Sequence, residues 1–318
     1  MPNIKRTMMG AAGGSQPEGL FTWGKRASGR LGIGGSVGGY VSSPVQIGEL
    51  TTWSDAAAGQ RHSAAARTDG RLFTFGNNAY GNLGDGSTTA RSSPVQVGAL
   101  TTWSKVAAGA GFTMSIKTDG TLWAFGYNVF GMHATGNTTS TSSPVQVGSL
   151  TNWSKIDVGG HNGFSVKTDG TLWGWGHGSE GKVGDGGTTN RSSPVQIGSL
   201  TSWANVSCGY KSTIAVRTDG AMFCWGRNSS GELGDGTTTN RSSPTQVGSL
   251  TTWATVSTDY YHTAAIKTDG TLWAWGLGKH IGDNTTVSKS SPVQIGTYTN
   301  WSSVHSGAQH RFAIASSS

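Results

Sequence analysis

Residues 103–126 read WSKVAAGAGFTMSIKTDGTLWAFG and hold the pattern from which the fold can be predicted. From Phe112 onward apolar and polar side chains alternate, which is typical of a strand with one buried face. Asp119 and Gly120 then have the composition of a two-residue type I′ hairpin turn, in which both residues take positive φ. We expect three strands here, over 103–108, 112–118 and 121–126.

The pattern repeats along the chain. The tripeptide Thr-Asp-Gly recurs every 50 residues, beginning at Thr68, Thr118, Thr168, Thr218 and Thr268. A tryptophan recurs with the same period and defines six units: Trp53, Trp103, Trp153, Trp203, Trp253 and, after a two-residue deletion, Trp301. In each full unit a Gly/Asn/Thr-rich loop leads to a fourth strand, predicted over 144–147 with Pro144 at its first position. Four antiparallel strands per unit, six times, predict an all-β protein with the β-propeller architecture.

The two ends of the chain look complementary. The last unit stops at Ala315 after its second strand, whereas residues 20–24 match a third strand and residues 44–47 a fourth. We expect a closing blade built from 20–47 plus 301–315, so that pairing of the N- and C-terminal strands closes a six-bladed ring and removes its edges. The predicted domains are an N-terminal arm over 1–19 and a single propeller over 20–318.

Composition narrows the class of protein. The 318 residues are 34% hydrophobic and only 12% charged, with 51 glycines and a formal net charge of +7. No apolar run approaches the roughly 18 residues of a membrane-spanning helix, and the N-terminus lacks the apolar core of a signal peptide. Cys208 and Cys224 allow at most one disulfide, and reduced thiols are favoured.

The repeats resemble those of the RCC1 (regulator of chromosome condensation) family. Three stretches follow the family's motifs in order: GQRHSA at 59–64, DGRLFTFG at 69–76 and NAYGNLGDG at 78–86. The resemblance implies a propeller of this type, although the best-known members have seven blades and the count here favours six. The histidine of the first motif is kept only at His62, His262 and His310.

Differences between units cluster in two loops of each blade, the turn between strands one and two and the loop between strands three and four. Strand alternation places both loops on one face, called the divergent face below. Its candidate binding residues are Arg61, Tyr80, Tyr127, Phe130, Tyr210, Lys211, Arg227, Tyr260, Tyr261 and Lys279. Basic groups interleaved with aromatics suit acidic glycans or nucleic acid. Acidic residues on the same loops, such as Glu180 and Glu232, favour a solvated mixed surface instead, and drift of solvated loops explains the variation equally well.

Other patterns have structural interpretations. The tryptophans fall at repeat-equivalent positions, so we interpret them as packing between blades. Residues 176–182 match a phosphate-binding loop but have Val183 where a hydroxyl residue would hold Mg²⁺.

The three repeat-equivalent histidines could hold a metal, but a hydrogen-bonded scaffold role is favoured. A basic series precedes the Asp-Gly turns, where the neighbouring Asp should neutralise it in part: Arg67, Lys117, Lys167, Arg217 and Lys267. We expect no cofactor, metal or catalytic group.

Two functional hypotheses from different classes follow. The arm should leave the face opposite the divergent loops, and residues 1–14 (MPNIKRTMMGAAGG) resemble the leaders of structural proteins from marine tailed bacteriophages. This favours a non-enzymatic virion component, such as a capsid decoration, fibre or tail protein, for which host surface glycans are a candidate ligand and nucleic acid is not favoured. Its arm would bind other virion proteins through Ile4, Lys5, Arg6, Met8 and Met9.

The alternative is what the RCC1 resemblance implies, a cytoplasmic guanine-nucleotide exchange factor or a chromatin-associated adaptor. Exchange factors of this type resemble propellers with an inserted wedge, but every unit here has 48 to 50 residues and carries no such insertion. A glycan-active enzyme is a third possibility, and it lacks a pair of carboxylates at the spacing that glycoside hydrolysis requires.

Overall fold

The computed structural model describes residues 19–35, 38–49, 52–306 and 311–315, with the side chains of 311 and 312 left out. The predicted anchoring residues Ile4, Lys5, Arg6, Met8 and Met9 lie outside the described residues, as does His310. The described chain is all-β apart from three single-turn 3₁₀ helices, at Ala27–Gly29, Ser179–Gly181 and Gly278–His280. None of its helices is long and apolar enough to cross a membrane.

Twenty-four strands form seven antiparallel sheets within the described residues. The chain starts with the hairpin β1 (Phe21–Lys25) and β2 (Tyr40–Gln46). Two four-stranded sheets follow, β3 (Trp53–Ala58), β4 (His62–Arg67), β5 (Leu72–Gly76) and β6 (Arg91–Gln96), then β7 (Trp103–Ala108), β8 (Phe112–Lys117), β9 (Leu122–Gly126) and β10 (Thr141–Gln146). In every sheet the strands lie side by side in chain order.

The second half of the chain continues the pattern. The third four-stranded sheet comprises β11 (Trp153–Val158), β12 (Asn162–Lys167), β13 (Leu172–Gly176) and β14 (Arg191–Gln196). The fourth comprises β15 (Trp203–Cys208), β16 (Ser212–Arg217), β17 (Met222–Gly226) and β18 (Arg241–Gln246). The fifth comprises β19 (Trp253–Thr258), β20 (His262–Lys267), β21 (Leu272–Gly276) and β22 (Lys289–Gln294), and the chain ends with the hairpin β23 (Trp301–Ser306) and β24 (Arg311–Ala315).

Four strands per repeat are therefore confirmed, whereas the closing blade is not found as one sheet. Within the described residues the two terminal hairpins are separate two-stranded sheets. The chain also divides into two compact units. The N-terminal unit runs to Val129 and includes Asn137–Ile156, and the C-terminal unit takes Phe130–Gly136 and the chain from Asp157 onward.

The Asp-Gly turns differ from the predicted type. Only the glycine has positive φ: Gly120 is at +77°, while Asp119 is not among the described non-glycine residues with positive φ. Gly120 donates its N–H to the carbonyl of Lys117 (2.9 Å), and Lys117 donates to the carbonyl of Thr121 (3.0 Å). This is a three-residue Thr-Asp-Gly loop, a type I turn completed by a left-handed glycine, rather than type I′.

The aspartate of this loop has a different task. Its Oδ1 accepts hydrogen bonds from the backbone N–H of Thr121 (2.9 Å) and from its hydroxyl (2.6 Å), and that hydroxyl in turn accepts the indole N–H of Trp123 (2.9 Å). These bonds to the ionised form lower the pKa of Asp119. The DGTLW sequence is thus one hydrogen-bonded unit. Aspartate is favoured at this position for the hydrogen bonds of its carboxylate and not for a tolerance of positive φ.

The fourth strands begin earlier than predicted. β10 starts at Thr141, so that Pro144 lies inside the strand instead of at its first position. The register between β10 and β9 shifts between Thr141 and Val145, which brackets the proline. Proline is accommodated because this strand is the last of its sheet and its ladder is interrupted there by a bulge.

Cores lie between successive sheets of the same unit, and tryptophans dominate them. Trp175, Trp225 and Trp275 are fully buried, and each donates its indole N–H to a carbonyl of the preceding repeat, at Met132, Lys182 and Glu232. The packing role predicted for these residues is confirmed. Cys208 and Cys224 are free, which agrees with the expectation of reduced thiols. Both are buried, and burial raises the pKa of both thiols, so they act as inert packing groups.

Candidate functional site

The two divergent loops of each four-stranded sheet lie at the same end of the sheet, as predicted, and they contact each other there. In the fourth sheet Arg227, at the start of the long loop, donates its N–H to the carbonyl of Lys211 in the turn between β15 and β16 (2.9 Å). The same bond joins Leu277 to Tyr261 (2.8 Å) and His177 to His161 (3.0 Å). Because the backbone repeats this contact, the side chains at these positions are presented together at one end of each sheet.

In the C-terminal unit these positions carry a continuous series of rings, which we call the aromatic run: Phe130, His177, His161, Tyr210, Tyr260 and Tyr261. Phe130 stacks on His177 with ring centroids 4.4 Å apart, and His161 meets Phe130 edge-on at 5.4 Å. His161 also contacts Tyr210 edge-on at 5.5 Å, with its Nε2 3.3 Å from the tyrosine hydroxyl.

The run continues through stacked tyrosines. Tyr210 lies parallel to Tyr260 at 4.2 Å, and Tyr260 contacts Tyr261 at 5.7 Å. All these rings are half-buried, so each has a packed part and a part open to solvent. Burial raises the pKa of the Tyr260 hydroxyl, and the neighbouring Tyr210 raises it further. Tyr260 therefore stays a neutral hydrogen-bonding group at physiological pH.

Cations flank the run. The ammonium of Lys211 and the guanidinium of Arg227 lie 5.9 and 5.7 Å from the ring centroid of Tyr261, within the range of cation–π attraction. Lys182 is buried at the other side, with its Nζ 3.4 Å from Nδ1 of His177. Burial lowers the pKa of His161 to about 4, and His177 and Lys182 contribute further. His161 is therefore neutral at pH 7.

The predicted site residues thus fall into separate groups. Phe130, Tyr210, Lys211, Arg227, Tyr260 and Tyr261 come together in the C-terminal unit. Tyr80 and Tyr127 form a second ring pair in the N-terminal unit, with centroids 4.6 Å apart, and Arg61 is exposed there. Lys279 is exposed in the 3₁₀ helix Gly278–His280. The structure therefore narrows the candidate site to the aromatic run and its cations.

The prediction missed three residues of this site, His161, His177 and Lys182. They stood in loops already recognised as divergent, where HGSEGK at 177–182 takes the place of NNAYGN at 77–82. Their side chains were not grouped into a site from the sequence. His161 is 16 residues from His177 and 49 residues from Tyr210, and no sequence pattern relates such positions unless the loops are known to be in contact. The hydrogen bond between the two loops of each four-stranded sheet shows which of these positions lie together.

The basic series before the Asp-Gly turns does not form an open anion site. Arg67 and Arg217 pair with Asp69 and Asp219 at 3.0 and 3.1 Å, and Lys117 is buried with its Nζ 3.5 Å from the ring centroid of Trp123. Partial neutralisation by the following aspartates is confirmed. These cations are held in ion pairs and ring contacts at the ends of the sheets and do not face solvent freely.

The metal and phosphate alternatives also receive structural explanations. No group of three or more His, Cys, Asp or Glu residues suited to a metal occurs among the described residues. The Nε2 of His62 lies 2.8 Å from Oγ of Thr113, whose own proton goes to the carbonyl of Asn82 (2.8 Å), so His62 is the donor. In the 176–182 loop, Lys182 is buried beside Glu180, which leaves no open phosphate cradle.

His62 provides a pH-dependent test of this packing. Burial lowers its pKa to about 4, whereas in the unfolded chain it titrates near 6.5. The unfolded state therefore binds more protons between these values, so the free energy of unfolding should fall by about 3 kcal/mol from pH 7 to pH 4 through this group. His62→Asn, the residue present at Asn162, should remove that part of the pH dependence in chemical denaturation. An unchanged pH profile would contradict a buried, neutral His62.

Comparison with known proteins identifies one family and several proteins of similar fold. The model of the RCC1-like domain matches residues 19–313. A 70-residue stretch is 39% identical to the ultraviolet-B receptor UVR8 of Arabidopsis thaliana, but it covers 22% of this chain and only 16% of that protein.

Among solved structures, human WBSCR16 superposes with a TM-score of 0.82 at 20% identity, covering 92% of this chain and 85% of that one. Prp20p from Saccharomyces cerevisiae, described with its binding to Gsp1p and histones, superposes at 0.60 with 16% identity, covering 95% and 92%. At these identities the likeness is one of fold.

Proposed function

Because the chain belongs to the RCC1-like domain family, we propose that it is a non-enzymatic recognition module that binds a protein partner through the aromatic run. The observation that carries this proposal is the stack of half-buried rings with Lys211 and Arg227 beside it. Tyrosine and arginine are the residues that most often dominate protein–protein binding energy. Here the tyrosines and the arginine lie in loops that differ between units, whereas the sheets that carry these loops are the same from unit to unit.

We also propose that the two terminal hairpins together make the closing blade of a six-bladed ring. β1 and β2 have the sequences of a third and fourth strand, and β23 and β24 those of a first and second. Each hairpin alone leaves unpaired edges, and pairing them would satisfy both. A closed ring would hold the divergent loops on a rigid support.

The function is tested by replacing the stacked tyrosines with the residue at the same position of another repeat. Gln60 shows that the scaffold accepts glutamine there, so Tyr210→Gln/Tyr260→Gln should keep the melting temperature while recovering at least tenfold less partner in affinity capture from the source organism. Lys105→Thr, an exposed site with Thr255 as its counterpart, is the matched control. A partner recovered equally by all three proteins would contradict the proposal.

Nucleotide exchange on a small GTPase is the second candidate function, since Prp20p, which shares the fold, is described with its binding to Gsp1p. The lack of an inserted wedge in the 48- to 50-residue units argues against it. A nucleotide-release assay separates the two hypotheses, because acceleration of release would favour exchange over simple recognition.

The virion role stays a more specific hypothesis from the sequence. It rests on residues 1–14, which lie outside the described residues, and none of the relatives reported above is a virion protein. In that hypothesis the recognised proteins are virion components, with host glycan as a candidate ligand of the divergent face. Assembly onto particles by a variant that lacks residues 1–19 would contradict an anchoring arm.

A further inference from the structure

Two arginines lie side by side where two loops of the N-terminal unit are in contact. Arg30, in the loop after β1, donates its Nε–H to the carbonyl of Ala27 (2.9 Å). It also donates an Nη1–H to the carbonyl of Gln60 (2.8 Å), in the turn between β3 and β4. Burial lowers the pKa of Arg30, and the positive charge of the exposed Arg61 next to Gln60 lowers it further. Two backbone carbonyls therefore hold one guanidinium close to a second one.

The two loops contain no acidic residue that could balance this pair. Residues 26–35 and 59–62 include neither Asp nor Glu. In the part of the chain that the structure describes, neither Arg30 nor Arg61 forms an ion pair. Both positive charges therefore lack an internal counter-charge there.

The acidic residues of the adjoining strand and loop are engaged elsewhere. One carboxylate oxygen of Asp55, in β3, accepts the backbone N–H of Val106 (3.0 Å). The carboxylate of Asp85, in the next long loop, pairs with Arg91 at 3.0 Å. Neither of these carboxylates is directed to the arginine pair.

The C-terminal unit contains the same arrangement with its counter-charge in place. Lys182 occupies the repeat position of Arg30, and Lys211 occupies that of Arg61. Burial lowers the pKa of Lys182, as does Lys211, whereas the charge and hydrogen bond of Glu180 raise it. The Oε2 of Glu180 lies 3.5 Å from Nζ of Lys182. A carboxylate from the same loop thus compensates this cation pair.

Ser28 stands at the position of Glu180 in the loop after β1. The two residues share one left-handed backbone conformation, with φ and ψ of 62° and 18° at Ser28 and 62° and 15° at Glu180. The first loop therefore keeps the backbone and the pair of cations of its counterpart, but it carries a serine in place of the carboxylate. An anion from outside the chain could supply the missing charge.

We propose that Arg30 and Arg61 bind a phosphate monoester, which takes the part that Glu180 plays beside Lys182 and Lys211. This site lies in the N-terminal unit and goes beyond the recognition proposed for the aromatic run. A phosphate monoester carries a charge of about −1.5 to −2 near neutral pH and so matches two guanidiniums, whereas a carboxylate would balance only one. The planar guanidinium fork also suits phosphate oxygens.

A nucleic acid fits this site less well. Each of its phosphodiesters carries a single charge, and binding depends on a series of cations along the backbone. In the next long loop, residues 77–91, the one cation is Arg91, and it is already paired with Asp85. The unbalanced charge is thus confined to the arginine pair, which suits one compact dianion.

The test measures by fluorescence anisotropy the binding of a fluorescein-labelled heptapeptide of glycine and serine with one central phosphoserine. The parent chain should bind it at least about tenfold more tightly than the unphosphorylated peptide. Ser28→Glu, which introduces the carboxylate of the C-terminal counterpart and leaves both arginines in place, should weaken binding at least about fivefold. Arg30→Asn, the residue at Asn82, and Arg61→Gln should weaken it by about as much.

Lys279→Gln is the matched control, because it removes an exposed cation of the divergent face outside this pair. Its affinity should stay within about twofold of the parent chain, and melting temperatures establish that each variant is folded. Inorganic phosphate and the unlabelled phosphopeptide serve as competitors. Equal competition at equal concentration would support the site and identify a free phosphate ester as its ligand, whereas stronger competition by the peptide would support a phosphorylated side chain.

The inference is overturned if phosphorylation does not tighten binding, if Ser28→Glu binds like the parent chain, or if the two arginine variants bind like Lys279→Gln. It is also overturned if oligouridylate competes better than the phosphopeptide. The outcome does not depend on Tyr210 and Tyr260, so this site and the function proposed for the aromatic run can fail separately.

Discussion

Gly70→Ala is expected to lower the free energy of unfolding by about 4 kcal/mol, enough to prevent folding of a marginally stable chain. Gly70 has a φ of +78°, which costs a non-glycine residue about 1 to 2 kcal/mol. In addition, a Cβ on Gly70 would overlap the carbonyl oxygen of Thr101, and forcing backbone apart in a packed site costs about 1 to 3 kcal/mol more.

Gly98→Ala is the matched control, because it separates strain from overlap. Gly98 has a φ of +59°, but a Cβ there would meet no atom within 4 Å. Only the conformational cost remains, so a loss of about 1 kcal/mol is expected. Urea denaturation of the two variants measures the difference. Equal losses would mean that the close approach of the Thr-Asp-Gly loop to the next inter-repeat link does not matter for stability.

Trp225→Ala should cost about 4 kcal/mol of unfolding free energy, the second large effect. The indole is fully buried, meets Phe164 edge-on at 5.5 Å and donates to the carbonyl of Lys182 (3.1 Å). Truncation leaves a cavity between successive sheets and frees the loop that carries Lys182. Partner binding should therefore weaken even in variants that remain folded at low temperature.

Trp23→Ala serves as the control for this truncation. Trp23 lies in β1 at the position equivalent to Trp225, but it is 45% exposed. Its loss should cost only about 2 kcal/mol, because nearly half of its surface is already in contact with water. Denaturation midpoints and m-values would show this difference. A Trp225→Ala protein as stable as Trp23→Ala would contradict the assignment of the indoles as the main packing groups.

The fold was largely predictable because a 50-residue period shows the same local chemistry several times. The first strands, such as β7 at Trp103–Ala108, were predicted to the residue, and the second and third to within one residue at one end. The turn type was wrong because Asp-Gly occurs both in type I′ turns and after a type I turn. The decisive feature, an Asp carboxylate bonded to Thr121, is a side-chain preference that φ reasoning alone does not include.

The site was predictable only in part. The variable loops gave Tyr210, Tyr260 and their neighbours, because variation over a constant scaffold is visible in one sequence. The grouping of those residues depends on which loops meet, and that is a property of the tertiary structure. Lys182 illustrates the limit, since its burial against His177 and Glu180 could not be inferred from a loop that reads as polar.

Hydrogen–deuterium exchange of the chain with and without its captured partner tests most directly where recognition takes place. The account predicts that binding slows exchange at residues 177–182, 209–212 and 259–262, the loops that carry the aromatic run and its cations, and leaves the Thr-Asp-Gly loops at 168–170 and 218–220 unchanged. Slower exchange confined to the Thr-Asp-Gly loops would contradict it.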